Sequence, residues 1–279
     1  MAVVLSLASA LVYGAADFCG GLAARRASVF AVVALSQFAG LVLLLVLLPF
    51  LGGRPTGVAL AWGAAAGLAG GTGLGLFYRA LGDGVMSVVA PVTALCAAAI
   101  PVLVGLLRGE RLAVPAAAGI AIAFVAVALV ASEGGVPSWE VARRAGLFPA
   151  LAAGSAFGVF FVLLAQTRES SGLWPLVGAR AASIGLIVSA AAVARRSVRA
   201  PKAVLPVVVL AGAADMAANA LFLLATREGL LVITGVLASL YPVSTVILAQ
   251  LVLRERLAGS QLLGLSAATL AVVLIALPA

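Results

Sequence analysis

The stretch GERLAVPAAAG, residues 109–119, returns near the end of the chain as RERLAGSQLLG, residues 254–264. A shift of 145 residues superposes Glu110 on Glu255 and, without a gap, Gly119 on Gly264. The same shift matches Gly67 with Gly212, Phe77 with Phe222, Ala80 with Ala225 and Gly84 with Gly229. Identities among Ala, Leu and Val weigh little in so apolar a chain, but a gapless E-R-L-A-x5-G pattern indicates an internal duplication.

Composition places the duplicated chain in a membrane. Hydrophobic residues make up 65% of the 279 positions and charged residues 9%, against about 45–50% and about 25% in soluble domains. So few charges do not cover a water-facing surface, and most of the exterior is expected to face lipid. The net charge of +8 falls in arginine doublets between apolar runs, as at helix ends near headgroups. The sequence lacks a basic stripe interleaved with aromatic residues, so it does not predict nucleic-acid binding.

The apolar residues form ten runs, each near the length of about 20 residues that a spanning helix needs. Continuous runs lack the alternation of a membrane barrel. The predicted spans are residues 3–23, 28–50, 58–80, 84–107, 113–131, 147–165, 172–194, 203–226, 230–253 and 259–278. No basic segment precedes the first run, which we interpret as a retained span. The chain thus divides into a first repeat over 1–133, a connector over 134–146 and a second repeat over 147–279.

Five spans per repeat is an odd number, and this determines the relative orientation of the two copies. The second copy enters the membrane upside down, so the sequence predicts an all-α membrane protein of ten transmembrane helices in two inverted five-helix repeats. Inverted repeats recur in secondary transporters, where one central site is exposed to alternate sides. A duplicated scaffold without a pathway is the competing interpretation, and a channel is a third.

Two five-helix halves with this ERL phrase resemble the EamA-type, ten-helix members of the drug/metabolite transporter superfamily. YGAADF at 13–18 is similar to the WG-x-x-F opening of the first repeat helix, and Pro242 precedes Glu255 by thirteen residues as in the family's pattern. Arg180 matches an arginine that the family often carries in the second helix of a repeat. The first half departs from the pattern, with Ser36-Gln37 in place of that arginine and Ala97 in place of its proline.

The resemblance implies export of small organic metabolites across the inner membrane, with amino acids, aromatic ones included, as the leading class and drug-like compounds as an alternative. It further implies proton coupling, no cofactor, and cytoplasmic termini; a monomer is compatible with it. The charge pattern disagrees on topology, because cytoplasmic termini would put about five basic residues in the inner loops and about eleven in the outer ones. The positive-inside rule favours the reverse.

Polar residues inside the spans are the candidate site. A charge at a helix centre costs about 2.5–3.5 kcal/mol on insertion scales, so it normally faces the bundle interior. Asp17 or Asp215 is expected to bind a proton or a cation; the alternative is a structural ion pair of Arg180 with Asp215. The candidates for binding substrate or protons are Tyr13, Asp17, Tyr78, Arg180, Asp215, Asn219 and Tyr241.

Other features carry weaker expectations. The helix-distorting prolines Pro91, Pro101 and Pro242 are gating hinges or static bends. The pairs Glu110/Arg111 and Glu255/Arg256 are interpreted as caps or anchors of their turns, with a gate as the alternative. GLAGGTGLG at 67–75 is interpreted as a surface for close helix contact. With no histidine and two cysteines inside apolar runs, the sequence predicts no metal site, no disulfide and no enzyme activity.

Overall fold

The computed structural model describes residues 1–83, 86–130, 147–253 and 258–277, leaving aside the side chains of 78–91 and of residues 147, 246, 249 and 253. These residues form helices, and no strand occurs among them. The helices are α1 (Ala2–Ala24), α2 (Val29–Leu51), α3 (Gly57–Asp83), α4 (Met86–Leu107), α5 (Val114–Val130), α6 (Leu147–Leu164), α7 (Trp174–Val193), α8 (Leu205–Glu228), α9 (Leu231–Ala238), α10 (Tyr241–Leu253) and α11 (Gly259–Ala276).

Within that described part, seven helical segments are long and apolar enough to cross a membrane: α1, α2, α3, α7, α8, α9 together with α10, and α11. Shorter apolar helices, in α4, α5 and α6, lie at the three remaining predicted spans. The chain is therefore an all-α, multi-pass membrane protein.

The prolines behave differently from one another. The ninth predicted span is divided at Ser239 and Leu240, between α9 and α10. Pro242 follows as the second residue of α10, a position at which a missing N–H costs no helical hydrogen bond. Pro101 does not end its helix, because α4 continues through it to Leu107. The side chain of Pro91 lies outside the described part.

Each helix packs mainly against helices of the other half of the chain. Helix α1 lies against α8, α9 and α10, α2 against α7 and α8, α3 against α6 and α7, α4 against α6 and α9, and α5 against α11. Exchanging the two halves, span for span, leaves this set of neighbours unchanged. The core is thus built between the halves and not within each of them.

Glycines allow the closest of these contacts. A Cβ on Gly119 of α5 would lie 2.8 Å from the carbonyl oxygen of Ala271, and one on Gly264 of α11 would lie 3.0 Å from that of Ala126. Both pairs are related by the 145-residue shift, so the glycine of the repeated phrase is where α5 and α11 cross. A Cβ on Gly67 would lie only 2.0 Å from the carbonyl oxygen of Ala179, which confirms close helix contact at 67–75.

Contacts between turns define the two ends of the bundle. At one end, hereafter the N-terminal end, the Arg54 N–H donates to the Ser170 carbonyl at 3.1 Å and Arg227 Nη2 donates to the Gly172 carbonyl at 2.5 Å. At the opposite end, Ser28 Oγ donates to the Ser197 carbonyl at 3.1 Å. The contacts of Arg54 and of Ser28 join one half to the other, whereas that of Arg227 lies within the second half.

The first glutamate-arginine pair does cap a helix, although not its own. Glu110, beyond the end of α4, accepts hydrogen bonds from the first backbone N–H groups of α9 in the other half. The capping interpretation is therefore confirmed for Glu110, while Arg111 is exposed. Glu255 and Arg256 lie outside the described residues.

Candidate functional site

A cavity lies between the two halves at mid-height of the bundle. Its volume is ≈ 120 Å³, below the range of about 300–1,000 Å³ typical of sites for drug-sized ligands. Its walls come from α1, α2, α3 and α4 of the first half and from α6, α7, α8 and α10 of the second. A ligand in this cavity would therefore contact both halves at once.

Arg180 is the centre of the polar wall. Its guanidinium is buried, with 6% of the residue exposed, and it donates through Nη1 to Gln37 Oε1 of α2 and through Nη2 to Asp215 Oδ2 of α8. Ser183 Oγ donates to the same Gln37 oxygen at 2.9 Å. The ion pair of Arg180 with Asp215 is confirmed, and it has the partners that a buried charge requires.

Tyr13 joins α1 to the same network. Its hydroxyl donates to Asn219 Oδ1 at 2.9 Å, and Asn219 Nδ2 donates in turn to the Asp215 backbone carbonyl at 2.7 Å. The edge of the Tyr13 ring meets Phe161, with the ring centroids 6.2 Å apart. The hydroxyl proton is thus committed to a protein acceptor, and α1 is held against α8.

Asp17 differs from the other charged residues of the cavity. It lies one turn beyond Tyr13 on α1, lines the cavity and is exposed. Across the described portion of the chain it has neither an ion-pair partner nor a side-chain hydrogen bond. Tyr241 of α10 lines the same cavity. Asp17 is therefore the carboxylate that remains available to an incoming group.

The apolar wall is built from phenylalanines. Phe157, Phe160 and Phe161 of α6 line the cavity together with Phe77 of α3. Phe77 meets Phe157 edge to face at 6.2 Å between centroids, and Phe160 meets Phe161 at 5.5 Å. A Cβ on Gly70 would lie 3.0 Å from the Phe160 ring, so the glycine allows this ring its place. Such a wall fits an apolar or aromatic group.

The cavity is sealed toward the N-terminal end. Leu44, Leu164, Leu176, Phe222 and Leu223 form a fully buried apolar cluster there, none more than 1% exposed. Phe222 packs on the cavity-lining Phe161 with 4.5 Å between ring centroids. Asp17, in contrast to these cluster residues, is exposed. The cluster therefore closes the N-terminal end of the cavity but leaves Asp17 accessible.

The structure brings most of the sequence candidates together. Six of them line this one cavity: Tyr13, Asp17, Arg180, Asp215, Asn219 and Tyr241. The side chain of Tyr78 lies outside the described residues. Pro242 adjoins Tyr241, whereas Pro101 lies against Gly235 of α9, where an added Cβ would come within 2.5 Å of it. Their roles in binding or gating stay predictions.

Gln37, Ser183 and Phe160 are among the lining residues that sequence reasoning missed. Gln37 stands in an apolar run at the place where the resemblance expected an arginine, and its isolation there was the available signal. Ser183 follows Arg180 by three residues, on the same helix face. Nothing in the sequence distinguished Phe160 from the neighbouring phenylalanines, because which ring faces the cavity depends on packing.

Comparison with known proteins gives a family match for slightly less than half of the chain. Residues 144–277 match the EamA-like transporter family. A crystal structure of another protein superposes with a TM-score of 0.80, covering 100% of this chain and 99% of its own, at 18% sequence identity. At that identity the likeness establishes a shared fold alone. No curated protein matches the sequence. Residues 144–277 are therefore an EamA-like transporter domain within a multi-pass membrane protein.

Proposed function

We propose that this chain is a secondary transporter that exports small organic solutes, amino acids or drug-like compounds, across the inner membrane by alternating access. The observation that carries the proposal is the central cavity, which both halves line with charged and aromatic groups and which is sealed at one end. A solute bound there touches both halves, so its binding can favour one arrangement of the halves over another. Transport then follows from the exchange of two packings around a fixed site.

The proposed architecture is ten transmembrane helices in two inverted repeats, residues 1–133 and 147–279, joined by a connector at 134–146. Two observations support it. The neighbours of each helix are unchanged on exchange of the halves, and the contacts of Gly119 and Gly264 are related by the same shift of 145 residues as the repeated phrase. An odd number of spans per copy then inverts the second copy.

The rival functions predict different cavities. A membrane scaffold has no use for a buried guanidinium and an exposed carboxylate in one central cavity, because placing charge inside a bundle is costly. A channel needs a continuous path between both ends, whereas fully buried leucines and Phe222 fill the N-terminal end here. A carrier accommodates both observations.

Asp17 is the group that we propose to bind the coupling proton. It is exposed, it lines the cavity together with Asp215 and with Tyr241 of α10, and the described residues do not neutralise it by an ion pair. Carboxylates at such positions are the usual proton carriers in transporters.

Flux measurements test the function. The purified chain is reconstituted in proteoliposomes, and uptake of labelled amino acids and organic amines is followed with and without an imposed pH gradient. We expect saturable flux that the pH gradient accelerates, and Asp17→Asn should remove the acceleration. If no solute moves through protein that is shown to be folded, or if flux never saturates, the carrier proposal is wrong.

The orientation is a separate proposal. By the family resemblance we place both termini in the cytoplasm, although Arg25, Arg26, Arg195, Arg196 and Arg199 are exposed at the opposite end of the bundle and the positive-inside rule would turn that end inward. We expect activity from a carboxyl-terminal fusion to a reporter that works only in the cytoplasm. Activity of a reporter that works only outside the cytoplasm would reverse the assignment.

A further inference from the structure

We infer that the central cavity selects monocationic organic amines over zwitterionic amino acids, with the ammonium group bound by Asp17. The inference rests on the proposed function and narrows it, since that function admits amino acids and drug-like compounds alike. Three features of the cavity support it. The guanidinium of Arg180 is already hydrogen-bonded to protein groups, the carboxylate of Asp17 is available to a ligand, and the apolar wall is built from phenylalanines.

Among the described residues, the cavity offers a ligand carboxylate no cation that is without protein partners. Both terminal nitrogens of Arg180 donate to protein oxygens, of Gln37 and of Asp215, and only 6% of the residue is exposed. A ligand carboxylate would compete with Gln37 and Asp215 for the guanidinium, and displacing Asp215 would leave that carboxylate without its partner. Breaking a buried pair from one side is strongly unfavourable. The carboxylate of a zwitterionic ligand therefore lowers its affinity relative to an amine without a carboxylate.

Two of the hydroxyl donors of the polar wall are also committed. The Tyr13 hydroxyl donates to Asn219 and the Ser183 hydroxyl to Gln37, both at 2.9 Å. A ligand carboxylate would have to compete with these internal acceptors for each bond. A buried acceptor left without a donor costs more than an average hydrogen bond gains.

A ligand ammonium meets the opposite situation. The described lining residues include two carboxylates, Asp17 and Asp215, and one guanidinium, that of Arg180, which leaves a formal balance of one negative charge among them. That charge is at Asp17, exposed within the cavity and outside any ion pair with the described residues. One ammonium group brings the cavity to neutrality, and a charge pair formed away from bulk water is stronger than one on a surface.

The facing wall suits the rest of such a ligand. The Phe157 and Phe160 rings line it, and aromatic faces attract organic cations as well as hydrocarbon. An amine with one apolar or aromatic substituent therefore matches both walls. A small, fully hydrated cation such as an inorganic ion matches only the carboxylate.

Three probes that share a phenethyl group test the selectivity: phenethylammonium, L-phenylalanine and 3-phenylpropionate, which are a cation, a zwitterion and an anion at neutral pH. Equilibrium binding is measured by calorimetry on the full chain in nanodiscs of uncharged lipid. We expect phenethylammonium to bind tighter than phenylalanine by on the order of tenfold, with 3-phenylpropionate the weakest. Phenylalanine binding as tightly as phenethylammonium would overturn the inference.

Variants separate the two carboxylates. Asp17→Asn should weaken phenethylammonium binding by on the order of tenfold and remove the preference, while Asp17→Glu should restore it. The double variant Arg180→Gln/Asp215→Asn removes one charge of each sign and should keep the preference for the cation. Glu169→Gln, an exposed residue at the N-terminal end, is the control and should change nothing. A cation preference that survives Asp17→Asn would overturn the inference.

The same probes distinguish failure of the selectivity from failure of the transport proposal. Saturable flux of phenylalanine in proteoliposomes without preference for phenethylammonium would refute the selectivity and leave the carrier intact. Absence of flux for every amine and amino acid, with folded protein, would refute the carrier and with it the inference.

Discussion

Glu110 and Leu231, which belong to different halves of the chain, are joined by a hydrogen bond of 3.0 Å from the Leu231 N–H to Oε1 of the glutamate. The second carboxylate oxygen accepts from the Val232 N–H at 2.9 Å. One side chain thus satisfies two of the free N–H groups at the start of α9, with its negative charge at the positive end of that helix. The glutamate of the repeated phrase ties the two halves together.

Replacing Glu110 should therefore loosen the contact between α4 and α9. We expect Glu110→Ala to lower the free energy of unfolding by about 1–2 kcal/mol, the usual cost of losing a helix cap. Thermal unfolding in detergent, followed by circular dichroism, measures the effect. Arg111→Ala, at the exposed neighbour, is the matched control and should leave the unfolding midpoint unchanged; an equal loss in both variants would contradict the capping role.

Gly67 should not tolerate even one added carbon. Its Cβ would lie 2.0 Å from the Ala179 carbonyl oxygen, a backbone atom that moves only if α3 and α7 separate. We expect Gly67→Ala to destabilise the protein by about 1–3 kcal/mol, as overpacking does, although alanine is the better helix former.

Gly75, on the same helix, is the control for Gly67. An added Cβ there meets nothing within 4 Å, so Gly75→Ala should leave stability unchanged or raise it by about 0.5–1 kcal/mol. Both variants are compared by their unfolding midpoints in the same detergent. A stable Gly67→Ala protein would show that α3 and α7 do not cross at this residue.

Replacing only one member of the Arg180–Asp215 pair should lower the free energy of unfolding more than replacing both members. Arg180→Gln leaves Asp215 without its cation, and we expect a loss near the lower end of the range of about 3–5 kcal/mol for buried pairs, because 29% of the Asp215 side chain is exposed. Arg180→Gln/Asp215→Asn should recover a large part of that loss.

A double-mutant cycle over the two positions measures their coupling. The fourth corner, Asp215→Asn, strands the guanidinium, which is the more deeply buried partner, with 7% of its side chain exposed. If the two single losses simply add in the double variant, the pair contributes no interaction to the stability of the fold.

Asp17 should behave as a ligand-binding group and not as a structural one. It is exposed and has no side-chain partner among the described residues, so Asp17→Asn should change the free energy of unfolding by no more than about 0.5 kcal/mol. Its effect should appear in binding and flux. A large loss of stability in this variant, measured against Asp215→Asn, would mean that Asp17 supports the fold.

The helices were predictable because the forces that form them in lipid are local. A run of apolar residues in lipid has to satisfy its backbone internally, and a helix does so within one segment. All four ends of α7 and α8 therefore lie within one or two residues of the predicted spans. The repeated ERL phrase is likewise a property of the sequence alone. The break between α9 and α10 could not be located from the sequence. Pro242 lies just after the break, but it does not indicate which residues form the break.

The site shows where that reasoning ends. The sequence by itself determined the class of protein, the position of the spans and the short set of polar residues that had to face inward, because the cost of a charge in lipid depends only on where the charge stands in its span. Only the tertiary structure decided which of them are partners. Arg180 meets Gln37 across 143 positions of sequence, and Asp17 is left without a partner, because both outcomes depend on how the helices of the two halves pack.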